Sequence, residues 1–151
     1  LSKISEDLVY FVEDDYIHKN NTLSEMIFTY EKIASEIGKE LFLCPVDYPF
    51  LYKSPEKTNI LIGHNYHWRT VKESLLTFMT SAKMVEKNWN NLIKMSEIEH
   101  SPFEAPLHKI YENEICLSPV PSLAMHCTNI NSIFGLSPNI EWKKLWEENK
   151  I

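Results

Sequence analysis

A chain of 151 residues has the length of one domain and is long enough to bury a core. Its formal net charge of −6 argues against a surface dedicated to nucleic acid, which needs clustered Lys and Arg, but a bound cation would still admit a nucleotide's phosphates. No apolar run approaches the ~20 residues that span a bilayer, and Cys44, Cys116 and Cys127 are too few and too scattered for a disulfide framework. Reduced thiols in a cytoplasmic protein are the expectation.

The first apolar run, Leu8-Val9-Tyr10-Phe11-Val12, consists of strand formers and ends in three consecutive carboxylates, Glu13, Asp14 and Asp15. A strand apolar on both faces suits the interior of an α/β sheet, whose carboxyl edge is where ligands bind. Adjacent carboxylates repel one another, and a hard divalent cation offsets that repulsion. Residues 16–21 read as a polar loop. Asn21 or Thr22 can cap a helix, Thr22 with Glu25 having the form of a capping box, and apolar residues from Leu23 to Ile37 recur at helical spacing up to Gly38, a suitable stop.

Leu41 to Cys44 predicts a second strand, parallel to the first and beside it through a right-handed crossover. Its following loop, residues 45–52, is bracketed by prolines and rich in aromatics. It is either a rigid plug over the core or a sugar platform, with Tyr48 or Tyr52 stacking and Asp47 bonding hydroxyls. Residues 58–63 and a segment containing His67-Trp68-Arg69 predict a hairpin. Arg69 is suited to a diphosphate or to the acidic cluster, and equally to lying in solvent with its stem on Trp68.

Ser81 opens a second helix, with Met84, Val85, Asn88, Trp89, Leu92 and Met95 along one side. A short helix is expected over residues 102–111 with Ser101 as its cap, preceded by the acids Glu97 and Glu99 and holding Glu104 in its first turn. Two extended pieces follow around Pro119 and Pro121, the second closed by His126. Ser137-Pro138 predicts the start of a final amphipathic helix carrying Ile140, Trp142, Leu145 and Trp146. No His-x-x-x-His pair, Gly-rich phosphate loop or Gly-x-Ser-x-Gly elbow occurs.

A hydrophobic strand followed by Glu13-Asp14-Asp15 resembles the metal-binding motif of GT-A type glycosyltransferases. Further segments resemble a group of small bacterial and viral glycosyltransferase-like proteins over nearly the whole chain: Asp47-Tyr48-Pro49 with Tyr52, His67-Trp68-Arg69 then Thr77-Phe78-Met79, and residues 121–126 leading to Glu141-Trp142. The resemblance implies that residues 1–151 are a single domain, the metal- and acceptor-binding C-terminal part of an α/β GT-A fold, with a mixed sheet and flanking helices. A nucleotide-binding half would precede it. It also implies transfer of a sugar from a nucleotide-sugar donor to a glycan or lipid-linked acceptor, with Mn2+ or Mg2+ as cofactor. Asp15 would be the first metal ligand, then Asp14 and Glu13, with His126 completing the shell. Glu97, Glu99 and Glu104 would be the candidates for catalytic base, Glu99 first and Glu104 next, and Asp47, Tyr48, Tyr52, Trp68 and Arg69 would bind substrate. A fragment lacking its donor half would be inactive, or would dimerise over exposed apolar surface. Two other classes fit the same residues: a glycan-binding module without catalysis, and a metal-dependent phosphohydrolase.

Overall fold

A computed structural model describes residues 7–97, 103–128 and 130–150. Its centre is a six-stranded mixed sheet built from β1 (Leu8–Phe11), β3 (Phe42–Leu43), β4 (Ile60–Ile62), β5 (His67–Val71), β6 (Phe78–Ser81) and β7 (Cys116–Val120). A separate antiparallel pair joins β2 (Tyr16–His18) to β8 (Ala124–His126). The helices are α1 (Thr22–Ile37), α2 (Ala82–Leu92), α3 (Ala105–Tyr111) and α4 (Trp142–Glu148). An α/β architecture with a mixed sheet and flanking helices is therefore what the chain adopts. None of the described helices is long and apolar enough to cross a membrane.

The strand order is β1-β6-β3-β7-β5-β4. β1 and β3 point the same way, as expected, but they are not neighbours: β6 runs antiparallel between them, pairing Val9 with Thr80 on one side and Phe42 with Thr80 on the other. The expected side-by-side crossover is corrected accordingly. β7 lies parallel to β3, so the carboxyl ends of β1, β3 and β7 share one edge of the sheet. That edge receives the acidic cluster, the loop from Pro45 and the segment leading to His126.

Alternation along the central strands divides the core into two layers. Phe42, Phe78 and Cys116 face α2 and α3, packing with Met84, Val85, Leu107 and Ile110. Their chain neighbours Leu43, Met79 and Leu117 face α1, packing with Met26, Tyr30 and Ile33. A third cluster of Cys44, Val46, Tyr48 and Ala124 closes the carboxyl edge.

Local signals set most helix ends. Gly38 caps α1 with φ 65°, the left-handed conformation that favours glycine. Ser81 Oγ accepts the Met84 N–H at 3.1 Å and starts α2. The expected capping box does not form: α1 has no side-chain cap bond, and Glu25 turns inward instead. α3 begins at Ala105 with Glu104 as its N-cap residue, and the final helix begins at Trp142 rather than near Ser137, with Leu145 as its buried residue. The expected cap at Ser101 lies outside the described residues.

Candidate functional site

The chain leaves β1 at Phe11 and passes the three carboxylates before β2 pairs with β8. That pairing sets Tyr16 opposite His126, and Cys127 N–H donates to Asp15 O at 2.8 Å. Residues more than a hundred positions apart in sequence are thereby brought together. His126 Nε2 lies 2.9 Å from Asp15 Oδ2, and Thr128 Oγ1 donates to the same oxygen at 2.5 Å. Asp15 Oδ1 is buried without a hydrogen-bond partner among the described residues. A buried carboxylate oxygen left unpaired is costly unless something else meets it.

His126 is held from its other side as well, with Nδ1 3.1 Å from Phe134 O. A carbonyl only accepts, so Nδ1 carries hydrogen and Nε2 is the nitrogen turned to Asp15. Glu13 is half-buried, and its backbone N–H donates to Thr77 Oγ1 at 3.0 Å. Burial pushes its carboxyl up, and the charges of Asp15 and Glu104 push the same way, partly offset by His126 and by a bond from the Leu76 backbone. Glu13, Asp15, Glu104 and His126 thus share one electrostatic neighbourhood. Asp14 is exposed and takes no part in the ion pairs and hydrogen bonds that tie Asp15 down.

Beside this cluster opens a cleft of about 620 Å³ whose lining includes Glu104, His126, His108, Phe50, Phe134 and Lys53. His108 is fixed there by Ser74 O at 2.9 Å. Glu99 lies outside the described residues.

The expected substrate-binding residues form a different arrangement. Asp47 is 1% exposed; it accepts the Tyr52 hydroxyl at 2.5 Å and pairs with the Arg69 guanidinium, while its backbone N–H donates to Ser122 Oγ at 2.9 Å. Burial pushes the Asp47 carboxyl up despite the opposing effects of Tyr52 and Arg69. The Arg69 guanidinium covers the Tyr52 ring at 4.3 Å, and the Tyr52 hydroxyl is pushed up to about 12 by burial and by Asp47. Asp47, Tyr52 and Arg69 therefore tie the loop to β5, with Arg69 Nε left buried and without a hydrogen-bond partner among the described residues. Asp47 is enclosed by this arrangement, whereas Tyr52 keeps half its surface exposed.

Tyr48 and Trp68 are fully buried. The Tyr48 hydroxyl meets that of Tyr16 at 2.7 Å, and Trp68 Nε1 donates to Glu25 Oε1 at 3.4 Å. Neither ring has a face for a sugar. Of the plug and the platform expected for this loop, Tyr48 fits the plug: its aromatic bulk fills the core end, and Phe50 stacks on it at 5.2 Å. Sequence reading passed over Thr128, Phe50 and Phe134, whose places depend on the loops that carry them.

Compared with family models, curated proteins and solved structures, the chain finds no match. Among the described residues, no group of three or more His, Cys, Asp and Glu side chains is placed to hold a metal. Magnesium-type ions are commonly held by only one or two carboxylates plus substrate phosphates, so a pair with an unpaired oxygen still fits such an ion. Carboxylate oxygens suit hard ions such as manganese or magnesium, whereas the imidazole suits zinc, copper, iron or nickel.

Proposed function

We propose that this chain carries the metal- and acceptor-binding part of a GT-A-like glycosyltransferase, moving a sugar from a nucleotide donor to a glycan or lipid-linked acceptor with Mn2+ or Mg2+. The observation that carries the reading is the unpaired, buried Asp15 Oδ1 beside His126 at the carboxyl edge of the sheet. Asp15 and His126 would hold the ion, with Glu13 near enough to add its charge. When bound, the ion supplies charge stabilisation for the departing diphosphate without proton transfer.

The chain's own residues supply the rest. Phe134 O fixes the His126 ring through Nδ1, and Thr128 fixes one Asp15 oxygen while leaving the other uncommitted. Glu104 lines the adjoining cleft together with Glu56 and Glu73, and its nearness to Glu13 favours it as the carboxylate that would take the acceptor hydroxyl's proton as that oxygen attacks the sugar. A non-catalytic glycan-binding module is the second reading, favoured by the lack of a three-residue metal set among the described residues.

Calorimetric titration of UDP and GDP, with and without Mn2+, separates them. Manganese-dependent binding is expected, weakened at least about tenfold in Asp15→Asn, which keeps the side chain's size but removes the charge and one acceptor oxygen. Binding that ignores manganese, or that survives the substitution unchanged in a folded variant, would remove the metal role.

A further inference from the structure

The cleft beside His126 has an aromatic corner whose use the preceding reading leaves open. Phe50 and Phe134 meet at 5.6 Å between ring centroids with an interplanar angle of 54°. Phe50 is backed by Tyr48, stacked at 5.2 Å and 15°, and Phe134 is 40% exposed. Two backbone contacts hold the corner in place: Phe50 N–H donates to Ile133 O at 3.1 Å, and Phe134 O meets His126 Nδ1 at 3.1 Å. Three carboxylates, Glu56, Glu73 and Glu104, line the same cleft against one lysine, Lys53.

An aromatic face carries partial negative charge and attracts the C–H face of a pyranose, while carboxylates accept hydrogen bonds from hydroxyl or ammonium groups. An excess of acid also repels an anionic ligand.

We propose that Phe50 and Phe134 form the stacking platform for an acceptor sugar that is neutral or amine-bearing, with Glu73 and Glu104 receiving its polar hydrogens, and that the site rejects uronic acids. The acceptor role rests on the glycosyltransferase reading, but sugar binding at the corner can be measured without it. His126 lines the same cleft, so a sugar stacked there would lie beside an ion held by Asp15 and His126.

The test is an NMR titration of the labelled chain with the methyl glycosides of glucose, glucosamine and glucuronic acid. The first two are expected to shift the amides of Phe50 and Phe134 saturably, with glucuronoside at least about tenfold weaker. Phe134→Ala should weaken binding about tenfold and Phe134→Tyr should restore it, because the ring rather than its para position does the stacking. Equal affinity for the glucuronoside, unchanged affinity in Phe134→Ala, or no saturable shift would overturn the proposal. A second sample titrated with manganese reports broadening at Asp15 and His126 independently. Broadening without sugar binding would refute the platform and leave the metal reading standing. Sugar binding without broadening would keep the platform and refute the catalytic reading.

Discussion

Among single residues, Glu25 shows how a carboxylate that resembles a helix cap can do other work. It is 1% exposed and accepts the backbone N–H of Asn65 at 3.0 and 2.9 Å, the Asn65 side chain at 3.0 Å and Thr29 at 2.9 Å. Burial alone would raise this carboxyl, but the hydrogen bonds from Asn65, Thr29 and Trp68 together hold it below its ordinary value. A carboxylate whose folded value is depressed adds stability above its unfolded value of about 4.3 and loses it as pH falls through the folded value. Glu25→Gln removes the charge and one acceptor, which costs about 1.5–3 kcal/mol at pH 7 on the scale of hydrogen bonds to charged groups. Urea unfolding at pH 7 and again near the acid limit of folding checks this: the deficit should shrink at the lower pH, and a deficit constant across both would assign Glu25 a packing role instead.

At the scale of elements, the hairpin of β4 and β5 depends on the same network. His64 N–H donates to Thr29 Oγ1 at 2.9 Å and Lys32 Nζ to Gly63 O at 3.0 Å, so the turn is fastened to α1. A Cβ at Gly63 would lie 2.4 Å from Trp68 Cδ1 and 2.6 Å from Thr29 Oγ1. Trp68 is fully buried and has no room to yield. Gly63→Ala is expected to cost about 1–3 kcal/mol by overpacking. A thermal scan should then show a midpoint roughly 2–4 °C lower per kcal/mol for a chain of this size, and an unchanged midpoint would mean that Trp68 moves aside.

Helices and this hairpin announced themselves because their periodicity and punctuation are local: the apolar stripe of α1, the Gly38 stop, the Ser81 cap. β2 and β6 did not. β6 is four residues, Phe-Met-Thr-Ser, whose Phe78 and Met79 belong to opposite layers, so it shows no one-sided pattern. β2 is three residues whose partner β8 comes more than a hundred positions later. Asp15 and His126 were singled out together only through resemblance, since no spacing rule links them. The aromatic corner depends on where the loop from Ile130 to Leu136 folds, held by Leu136 N–H to Ile130 O at 2.8 Å.

Across the whole molecule, the position of β6 decides how the carboxyl edge is assembled. Were β1 paired directly with β3, residues 78–81 would form a connecting loop and the acidic cluster would stand one strand closer to the Asp47 loop. With β6 between them, Phe78–Ser81 is hydrogen-bonded on both sides, to Leu8–Phe11 and to Phe42–Leu43, and all four residues are buried. Thr80 Oγ1 adds a bond to Leu41 O at 2.7 Å. β4 differs: it is an edge strand with Ile60 57% and Ile62 67% exposed. Amide protection follows the free energy of the opening that exposes each group, which is largest for strands paired and covered on all sides and smallest at edges. Hydrogen exchange followed by NMR should therefore place the amides of β6 with those of β3 and β7 in the slowest class, and those of β4 well ahead of them. Loop-like exchange at residues 78–81 would overturn the strand order and with it the place of the acidic cluster along the carboxyl edge.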